Sequence, residues 1–315
     1  MKHLFIINPI AGGMKGHYEK TEGIIKEFTE TLEDHYEIYV TKGPMDACRK
    51  IIEEADKMEK ADETEKLYVY ACGGDGTLNE CANGAANRKN VALTHYPCGT
   101  GNDFLKTFGR ENVNLFLDLK ELSNGTIRAL DLIDCDGRYA INISSVGIDA
   151  RVGADVHKYS GIPLIGGKSG YIVSLIVNII KGVKQKFKIT IDETVIDKYI
   201  TLACICNGKF YGGGFNPVPE AVPDDGILEI LVVKAVSRLK LSSIVSRYAQ
   251  GRFREFPELF TYIRGNSMEI ECDRKFVINI DGEAIFAKKI SFKLVEKSIN
   301  FIFPPKLKDI NVNSK

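Results

Sequence analysis

The 315-residue sequence has no excess of either charge, no paired-cysteine motif, no long hydrophobic run and no internal repeat. Lys plus Arg and Asp plus Glu both number 42, so the net charge gives no reason to expect nucleic-acid binding. The eight cysteines include no C-x-x-C pair, which favours a reducing cytoplasm. The longest apolar tract, GYIVSLIVNII, is shorter than the roughly 20 residues of a membrane-spanning helix. The apolar part of the N-terminal MKHLFIINP is too short for a signal peptide. We therefore expect a soluble protein that contacts membranes at most peripherally.

Strand and helix patterns alternate over residues 2–133 with short links. This alternation is typical of parallel strands joined by right-handed helical crossovers, that is, of a doubly wound α/β domain. After Asp131 the pattern changes to hairpin-forming strands, including one over residues 138–150, with helical stretches at 170–183 and 237–250. This pattern is typical of a mainly antiparallel domain. We predict an α/β domain over residues 1–131 and a β-rich domain over 132–315, whose last residues are free to pack on the first domain.

The apolar strand KLYVYAC runs into a glycine-rich turn and then a helix. Gly73, Gly74 and Gly76 permit a sharp turn and a close approach of a ligand to the backbone amides. In the following TLNE, Thr77 and Glu80 fit a capping box at the start of the helix. Free amides and the positive end of the helix dipole converge at such a turn, which predicts a phosphate site. The glycines alone are equally compatible with a plain strand-to-helix turn.

Asp75 makes the plain turn the weaker interpretation. A carboxylate among glycines repels phosphate unless a metal ion lies between them or the carboxylate orients the group that is phosphorylated. Neither a P-loop nor a dinucleotide fingerprint fits, because GGMKGH has no Lys followed by Ser or Thr and GDGTLN has Asn79 in place of Gly or Ala. The loops NPIAGG, GGDGTLN and PCGTGNDF all follow predicted parallel strands, whose carboxyl ends are the usual place for a ligand.

Four segments in this order, GGDGTLNE, PCGTGNDF, DDGILEI and INIDGEAIF, resemble motifs of the bacterial diacylglycerol kinase family of soluble lipid kinases, relatives of sphingosine and ceramide kinases. GGDGT alone also occurs in NAD kinases and phosphofructokinases, whereas the ordered set after NP..GG covers nearly the whole chain. The resemblance implies an NAD-kinase-like α/β domain and a β-sandwich-like domain, with ATP between them. It also implies an ATP- and Mg²⁺-dependent enzyme that phosphorylates diacylglycerol to phosphatidic acid in phospholipid metabolism.

Two alternatives remain open at this point. One is a kinase of the same fold with another acceptor, such as undecaprenol, a sphingoid base or NAD, although the wider motif set fits NAD kinase poorly. The other is a nucleotide-binding regulatory protein without turnover, which the presence of Asp75 and Glu283 disfavours.

The resemblance implies a set of ATP-binding residues, and each lies at the predicted carboxyl end of a strand. Thr41 and Thr100 are also compatible with ordinary turn or helix caps. The predicted ATP-binding residues are Asn8, Pro9, Ile10, Ala11, Gly12, Thr41, Gly73, Gly74, Asp75, Gly76, Thr77, Leu78, Asn79 and Thr100.

Three carboxylates are predicted to face the same cleft, those of Asp75, Asp103 and Asp131. Together they suit a catalytic Mg²⁺, bound directly or through water, because this small cation keeps several waters and takes few carboxylates. Asn102 and Asp103 are also typical of the residues that cap the start of a helix. Asp131 lies in the apolar IRALDLI and is alternatively the exposed end of its strand.

The second domain contributes two further acidic segments. In AVPDDGILEI the resemblance implies a structural Mg²⁺ held by Asp225 and by backbone carbonyls near Val222 and Ile227, where the residues alone indicate a hairpin turn. In INIDGEAIF, Glu283 corresponds to the family's catalytic base, which accepts the proton of the acceptor hydroxyl. Asp281 is expected to be an ordinary hairpin acid.

The expected partners are a membrane-derived lipid substrate and a peripheral membrane surface, with no nucleic acid; both a monomer and a homodimer are compatible with the sequence. The lysines of residues 181–188 suit anionic lipid heads or, individually, a solvated basic face. The helix YIVSLIVNIIKGVK has an apolar face at a spacing that more often means core than an acyl-chain pocket. That face consists of Ile172, Leu175, Ile176, Ile179 and Ile180.

Overall fold

A computed structural model describes residues 1–12, 17–61, 65–160 and 168–307 of the chain. Contacts between Cα atoms divide the chain into two units. The first comprises Met1–Asp131 and Glu296–Lys315, and the second comprises Leu132–Val295. The segment that begins at Glu296 is therefore grouped with the first unit, although it follows the β-rich unit in the sequence.

The first unit is a parallel sheet with helical crossovers. Strands β2, β1, β3 and β4 pair in this order, and the end of the last strand, β13 (Glu283–Phe303), pairs with β4. The predicted doubly wound α/β architecture is thereby confirmed. Its elements are β1 (Lys2–Ile7), α1 (His17–Thr29), β2 (His35–Val40), α2 (Asp46–Ala61), β3 (Leu67–Gly73), α3 (Asp75–Ala85), β4 (Val91–Pro97), α4 (Asp103–Lys106), a 3₁₀ helix (Arg110–Leu117), α5 (Leu119–Ser123) and β5 (Thr126–Cys135), of which residues 126–131 belong to this unit.

Continuous apolar strands and amphipathic helices build this unit. All residues of β4 before Pro97 are buried, as expected for a strand covered on both faces. Helix α2 buries Ala47, Ile51, Ala55 and Met58 at intervals of three or four residues, which gives one face toward the sheet. Because β1 to β4 are parallel and in register, the loops that follow them leave the sheet at the same edge.

The second unit is mainly antiparallel, as predicted. Strands β11, β10, β9, β7 and β12 pair in this order; β8 pairs with β9 and β12, and β13 pairs with β12. Two apolar clusters fill it, one containing Phe187 and Phe292 and the other containing residues of α6, β9 and α8. Its elements are β6 (Arg138–Ala140), β7 (Ile143–Gly147), α6 (Ile148–Ser160), α7 (Lys168–Lys181), β8 (Gln185–Ile191), β9 (Thr194–Cys206), β10 (Leu228–Lys234), α8 (Arg238–Tyr248), a 3₁₀ helix (Phe253–Glu255), β11 (Phe260–Gly265), β12 (Ser267–Ile280) and most of β13.

The single strand predicted over residues 138–150 is wrong. The segment forms two short strands, and α6 begins at Ile148. Gly147 has a φ of +90°, a left-handed conformation that ends the extended run. The Oγ of Ser145 also donates to Asp149 Oδ2 at 2.6 Å in the first turn of α6.

Helix α7 occupies the segment predicted to be helical, although its apolar face is described only in part. The side chains of Ile172, Leu175 and Ile176 lie outside the described residues. Ile179 packs against the apolar cluster of α6, β9 and α8, whereas Ile180 is 66% exposed. Ile180 therefore does not share the buried face of Ile179. No helix in the described ranges is long and apolar enough to cross a membrane.

Candidate active site

The GGDGT loop follows β3, and close packing restricts two of its glycines, Gly73 and Gly74. A Cβ on Gly73 would lie 2.2 Å from Thr77 Oγ1, and a Cβ on Gly74 would lie 3.3 Å from the Cα of Gly99. A Cβ on Gly99 would lie 2.5 Å from the Cα of Gly74. Gly74 itself has a φ of −98°, which any residue can adopt. These glycines therefore allow the GGDGT and GTGND loops to touch. Gly74 is needed for this contact and not for a left-handed φ.

The predicted capping box at the start of α3 is wrong. The helix begins at Asp75 with Gly74 as its N-cap residue, and no side chain caps it. Thr77 is therefore already inside the first turn, where its Oγ1 accepts a hydrogen bond from Asn8 Nδ2 at 3.1 Å. Glu80 Oε1 instead accepts from the backbone amide of Met45 at 2.8 Å. The first turn of α3 thus keeps its amides uncapped by side chains at the edge where the loops emerge.

Asn8 joins the NPIAGG loop to the GGDGT loop. Besides its bond to Thr77, its Oδ1 accepts from the amide of Ile10 at 3.1 Å, and its carbonyl accepts from Ala11 at 3.1 Å. Gly12 has a left-handed φ of +77°. The amide of Thr41 donates to the carbonyl of Ile7 at 2.9 Å. Asn8 and Thr41 therefore lie at the same edge of the parallel sheet as the GGDGT loop.

The other predicted ATP-binding residues differ in exposure. Pro9, Ile10, Gly76 and Thr100 are exposed, with Ile10 at 84%. Leu78 and Asn79 are fully buried within α3, so their side chains do not face solvent. For all of these residues, contact with ATP stays a prediction.

Asp75 and Asp103 are brought together at this edge. Asp75 Oδ1 accepts hydrogen bonds from the amides of Asp103 at 2.7 Å and Phe104 at 3.3 Å. A Cβ on Gly101 would lie 2.7 Å from Asp75 Oδ2 and 3.8 Å from Asp103 Oδ2, so both carboxylates border the same glycine. Asp103 Oδ1 also accepts from Lys106 Nζ at 2.5 Å.

The electrostatics of this pair fit a cation. Burial and, second, the charge of Asp103 raise the pKa of Asp75 to about 7, against the lowering effects of the two backbone amides and of the Lys106 charge. A divalent ion would supply the missing positive charge, and Mg²⁺ accepts few carboxylates together with waters. Asp75 and Asp103 are therefore the residues that suit a catalytic magnesium.

Asp131 does not fit the interpretation as the exposed end of a strand. It is fully buried in the middle of β5, where its Oδ1 accepts from the backbone amide of Lys297 at 2.7 Å. Within the described ranges, no three His, Cys, Asp or Glu side chains are grouped closely enough to hold a metal ion. The three-carboxylate arrangement predicted for Asp75, Asp103 and Asp131 is therefore not present as such in the structure.

His95 was missed by sequence reasoning. It lies in β4 and is completely buried, and its Nε2 donates to the carbonyl of Gly73 at 3.0 Å. Burial lowers the pKa of His95 to about 4, against the effect of its bond to Gly73, so the ring is neutral at physiological pH. In the apolar stretch VALTHYP, a histidine is expected to be a core residue. Only its hydrogen bond to Gly73, which the structure shows, connects it to the GGDGT loop.

In the second unit, Glu283 follows a hairpin turn that is held by hydrogen bonds to the side chains of Asp281 and Asn279. The Asp281 carboxylate accepts from three backbone amides, those of Ile141 at 2.7 Å, Asn142 at 3.1 Å and Ile143 at 2.9 Å. Asn279 Oδ1 accepts from the amide of Gly282 at 2.7 Å. Asp281 is thus an anchor of the hairpin as well as a turn residue, and Glu283 is exposed at the first position of β13.

The predicted structural magnesium ligands lie in another turn of the second unit. Asp225 Oδ1 accepts from the amide of Ile227 at 3.1 Å, and Oδ2 lies 3.4 Å from the guanidinium of Arg264. Val222 is buried nearby in the sequence. These contacts already neutralise part of the Asp225 charge, as Lys106 does for Asp103. The magnesium site of Asp225 stays a prediction.

Comparison with known proteins agrees with this architecture. Residues 2–135 match the family of the diacylglycerol kinase catalytic domain, and residues 142–303 match the YegS C-terminal NAD kinase beta sandwich-like domain. A "putative lipid kinase" of Staphylococcus haemolyticus is 25% identical over 93% of this chain and 93% of its own. A "probable lipid kinase YegS-like" of Shewanella frigidimarina is 29% identical over 75% of this chain and 76% of its own. A crystal structure titled as a putative diacylglycerol kinase from Bacillus anthracis superposes with a TM-score of 0.73 at 25% identity, covering 96% of this chain and 97% of the other.

The two matched domains and the loops at the edge of the sheet define a lipid kinase. The chain belongs to the bacterial diacylglycerol kinase family.

Proposed function

We propose that this lipid kinase transfers the γ-phosphoryl group of ATP to the free hydroxyl of diacylglycerol, forming phosphatidic acid for phospholipid metabolism. The observation that carries the proposal is the pair of carboxylates formed by Asp75 at the start of α3 and Asp103 at the start of α4, beside the GGDGT loop. Amides at the start of a helix attract phosphate, while the two acids would repel it. A site with both features suits a nucleotide bound together with a divalent cation.

In this proposal Asp75 and Asp103 would hold Mg²⁺, directly or through water, and the ion would supply positive charge beside the phosphates. The backbone of the NPIAGG and GGDGT loops binds and orients the phosphates. Glu283 accepts the proton of the acceptor hydroxyl, and its exposure on a hairpin anchored by Asp281 makes it available for this role. Phosphoryl transfer needs mainly positioning and charge stabilisation, which these residues supply.

An apolar cavity in the second unit is too small to hold an acyl chain in this structure. Its volume is about 30 Å³, room for about one or two water molecules, and side chains of α8, β9 and β11 line it. Asp149, Tyr211 and Tyr248 also line it, and the two tyrosine hydroxyls lie 2.9 Å apart. The proposal of a lipid acceptor therefore rests on the family to which the chain belongs, and undecaprenol and sphingoid bases are the alternative acceptors of the same fold.

The substrate requires contact with a membrane surface, and one face of the second unit suits anionic lipid. Leu239 is 86% exposed next to Arg238, whose guanidinium donates to the carbonyls of Ile179 and Ile180 at the end of α7. Lys184, Arg238 and Leu239 line one groove on this face. Exposed aliphatic and basic side chains together favour an anionic bilayer. The described cysteines form no disulfide, which is consistent with a cytoplasmic protein that associates with the membrane transiently.

The test is a panel of acceptors in mixed micelles with labelled ATP and Mg²⁺, comparing diacylglycerol, undecaprenol and sphingosine. We expect diacylglycerol to give the highest kcat/KM. In the same assay Glu283→Gln should lower kcat by roughly 100-fold, at the low end of general-base effects, because loose phosphoryl transition states need little early proton removal. ATP affinity and melting temperature should stay near wild type.

Three outcomes would contradict this proposal. A higher kcat/KM with another acceptor would show that diacylglycerol is not the preferred substrate. The absence of labelled product with every lipid would refute lipid phosphorylation by this chain. A Glu283→Gln variant that keeps its per-molecule rate and loses stability assigns Glu283 to the hairpin instead of to the chemistry.

A further inference from the structure

We propose that His95 is a positioning residue that fixes the Gly73–Gly74 peptide so that the Gly74 amide faces the nucleotide phosphates. This inference rests on the proposed ATP-dependent function. The observation behind it is that the Gly73 carbonyl accepts two hydrogen bonds, from the amide of Cys98 at 2.8 Å and from His95 Nε2 at 3.0 Å.

Peptide geometry determines where the Gly74 amide points. The described backbone has no cis peptide bond, and in a planar trans peptide the C=O and N–H point in opposite directions. The Gly73 carbonyl is directed toward β4, because His95 belongs to β4 and Cys98 follows it directly. The Gly74 amide is therefore directed toward the opposite side of β3, where β1 lies and where the NPIAGG loop begins.

Two consecutive glycines leave this orientation weakly defined on its own. A flip of the peptide between Gly73 and Gly74 rotates ψ of one glycine and φ of the other, and neither rotation meets a Cβ of its own residue. A second hydrogen bond from a buried ring on the adjacent strand opposes the flip. His95 therefore fixes the orientation of the Gly73–Gly74 peptide, which the glycines alone do not fix. The positions of the two glycines are set by their close packing against Thr77 and Gly99.

The burial of His95 argues against a purely structural role. Since a carbonyl only accepts, Nε2 carries the proton and Nδ1 is an acceptor; this Nδ1 is buried and has no hydrogen-bond partner in the described part of the chain. An unpaired buried acceptor lowers stability. The Gly73 carbonyl would remain bonded to Cys98 if the ring were absent, so an apolar residue at position 95 would leave the fold satisfied. Stability alone thus favours an apolar side chain here.

His3 provides a matched control within the same sheet. It is 1% exposed in β1, its Nδ1 lies 2.9 Å from the hydroxyl of Tyr70, and its Nε2 lies 3.7 Å from Asp34 Oδ2, beyond hydrogen-bond distance. It resembles His95 in burial and in having one bonded ring nitrogen. His3 is near the amino end of β1, however, at the edge of the sheet opposite to the loops.

The test compares His95→Leu, His95→Gln and His3→Leu with wild type by ATP titration calorimetry, steady-state kinetics and thermal melting. His95→Leu should keep or raise the melting temperature and weaken ATP binding roughly three- to tenfold, as expected for one lost neutral hydrogen bond. KM for ATP should rise by the same factor with a smaller change in kcat. His95→Gln should recover most of the affinity, because its amide Nε2 is placed to donate to the same carbonyl. His3→Leu should leave ATP affinity unchanged.

The inference is overturned if folded His95→Leu binds ATP within twofold of wild type, or if His3→Leu weakens binding equally. If His95→Leu does not fold, His95→Phe, which preserves a planar ring, is measured against His95→Gln. Equal ATP affinity in these two variants also overturns the inference. A wild-type protein that phosphorylates no lipid but binds ATP refutes the proposed reaction and leaves the binding comparison intact, whereas a wild-type protein that does not bind ATP refutes both.

Discussion

Glu54 and Asp75 are both carboxylates on helices of the first unit, and their surroundings are opposite. Glu54 on α2 accepts hydrogen bonds from Lys2 at 2.6 Å, Lys50 at 2.9 Å and Lys57 at 3.1 Å. Asp75 on α3 accepts from two backbone amides, has no ion pair within the described residues, and borders Asp103. Lys2 begins β1, so the Glu54 cluster lies at the amino end of the sheet, whereas Asp75 lies at the carboxyl end.

Burial acts in the same direction on both groups, and the neighbours decide the result. Burial alone would raise the pKa of Glu54, but the hydrogen bonds from its three lysines lower it to about 2. Burial and Asp103 raise the pKa of Asp75 to about 7. The protein thus neutralises a buried acid where it supports the fold and leaves one uncompensated where, in our proposal, a cation and a nucleotide bind. Three substitutions, with Gly23→Val as a control, test this contrast.

The largest expected effect is the loss of activity in Asp75→Asn. The amide keeps the size of the side chain and can still accept from the Asp103 and Phe104 amides, but it removes charge from the proposed magnesium site. We expect kcat/KM on diacylglycerol to fall roughly 100- to 1,000-fold, the range for a lost electrostatic contact in an active site. Glu54→Gln is the control, with activity per folded molecule near wild type. Equal losses in both variants would remove the distinction between the two acids.

Gly74→Val should abolish ATP binding by a different route. Its side chain would start 3.3 Å from the Cα of Gly99 and force the GGDGT and GTGND loops apart. We expect ATP affinity to fall at least roughly 100-fold, an energy of about 2.7 kcal/mol. Gly23→Val on α1 is the control, because a Cβ there has nothing within 4 Å. Unchanged ATP affinity in a folded Gly74→Val protein would exclude this loop from the nucleotide site.

The sequence predicted the parallel sheet and the β-rich unit because hydrophobic period and helix spacing are local properties. It did not predict how the loops pack. The TLNE segment fits a capping box, but the close approach of Gly74 and Gly99 allows α3 to begin at Asp75, before Thr77. The strand predicted through Gly147 was wrong because the left-handed φ of Gly147 depends on the chain around it. A Cβ on this residue would lie 2.5 Å from the carbonyl oxygen of Thr201.

The same limit applies to the site residues. Asp75 is conspicuous among glycines, and its meeting with Asp103 was expected from the common edge of the sheet. Asp131 resembles them in sequence, yet its partner is the backbone amide of Lys297, which is 166 residues away. His95 and Asp281 had no distinguishing local pattern, since their roles depend on a carbonyl in β3 and on the amides of residues 141–143. Long-range hydrogen bonds were therefore the information that the sequence pattern lacked.

Glu54→Gln should have a moderate effect on stability that depends on pH. The pKa is about 2 in the folded state and near 4.5 in the unfolded chain, so the carboxylate stabilises the fold fully above pH 4.5 and loses this contribution as the pH falls toward 2. We expect the variant to lose about 1 to 3 kcal/mol of unfolding free energy at pH 7, and less at pH 3. Urea denaturation at both pH values measures this difference. A loss that is independent of pH would show that packing, not charge, determines the role of Glu54.

The last expected effect is a gain in stability for Asp75→Asn, opposite in sign to that of Glu54→Gln. Because the pKa of Asp75 rises from 3.8 to about 7 on folding, the folded state binds the proton more tightly than the unfolded chain. Its contribution is therefore fully present below pH 3.8 and is lost as the pH rises through 7. The uncharged variant does not titrate, so its stability relative to wild type should be greater at pH 8 than at pH 4.5, by roughly 2 to 3 kcal/mol. Millimolar Mg²⁺ at pH 8 should reduce the gap, since a bound cation compensates the charge in wild type alone. Urea denaturation of both proteins at the two pH values, with and without Mg²⁺, measures these differences; a less stable variant at pH 8 would mean that Asp75 is a structural acid like Glu54.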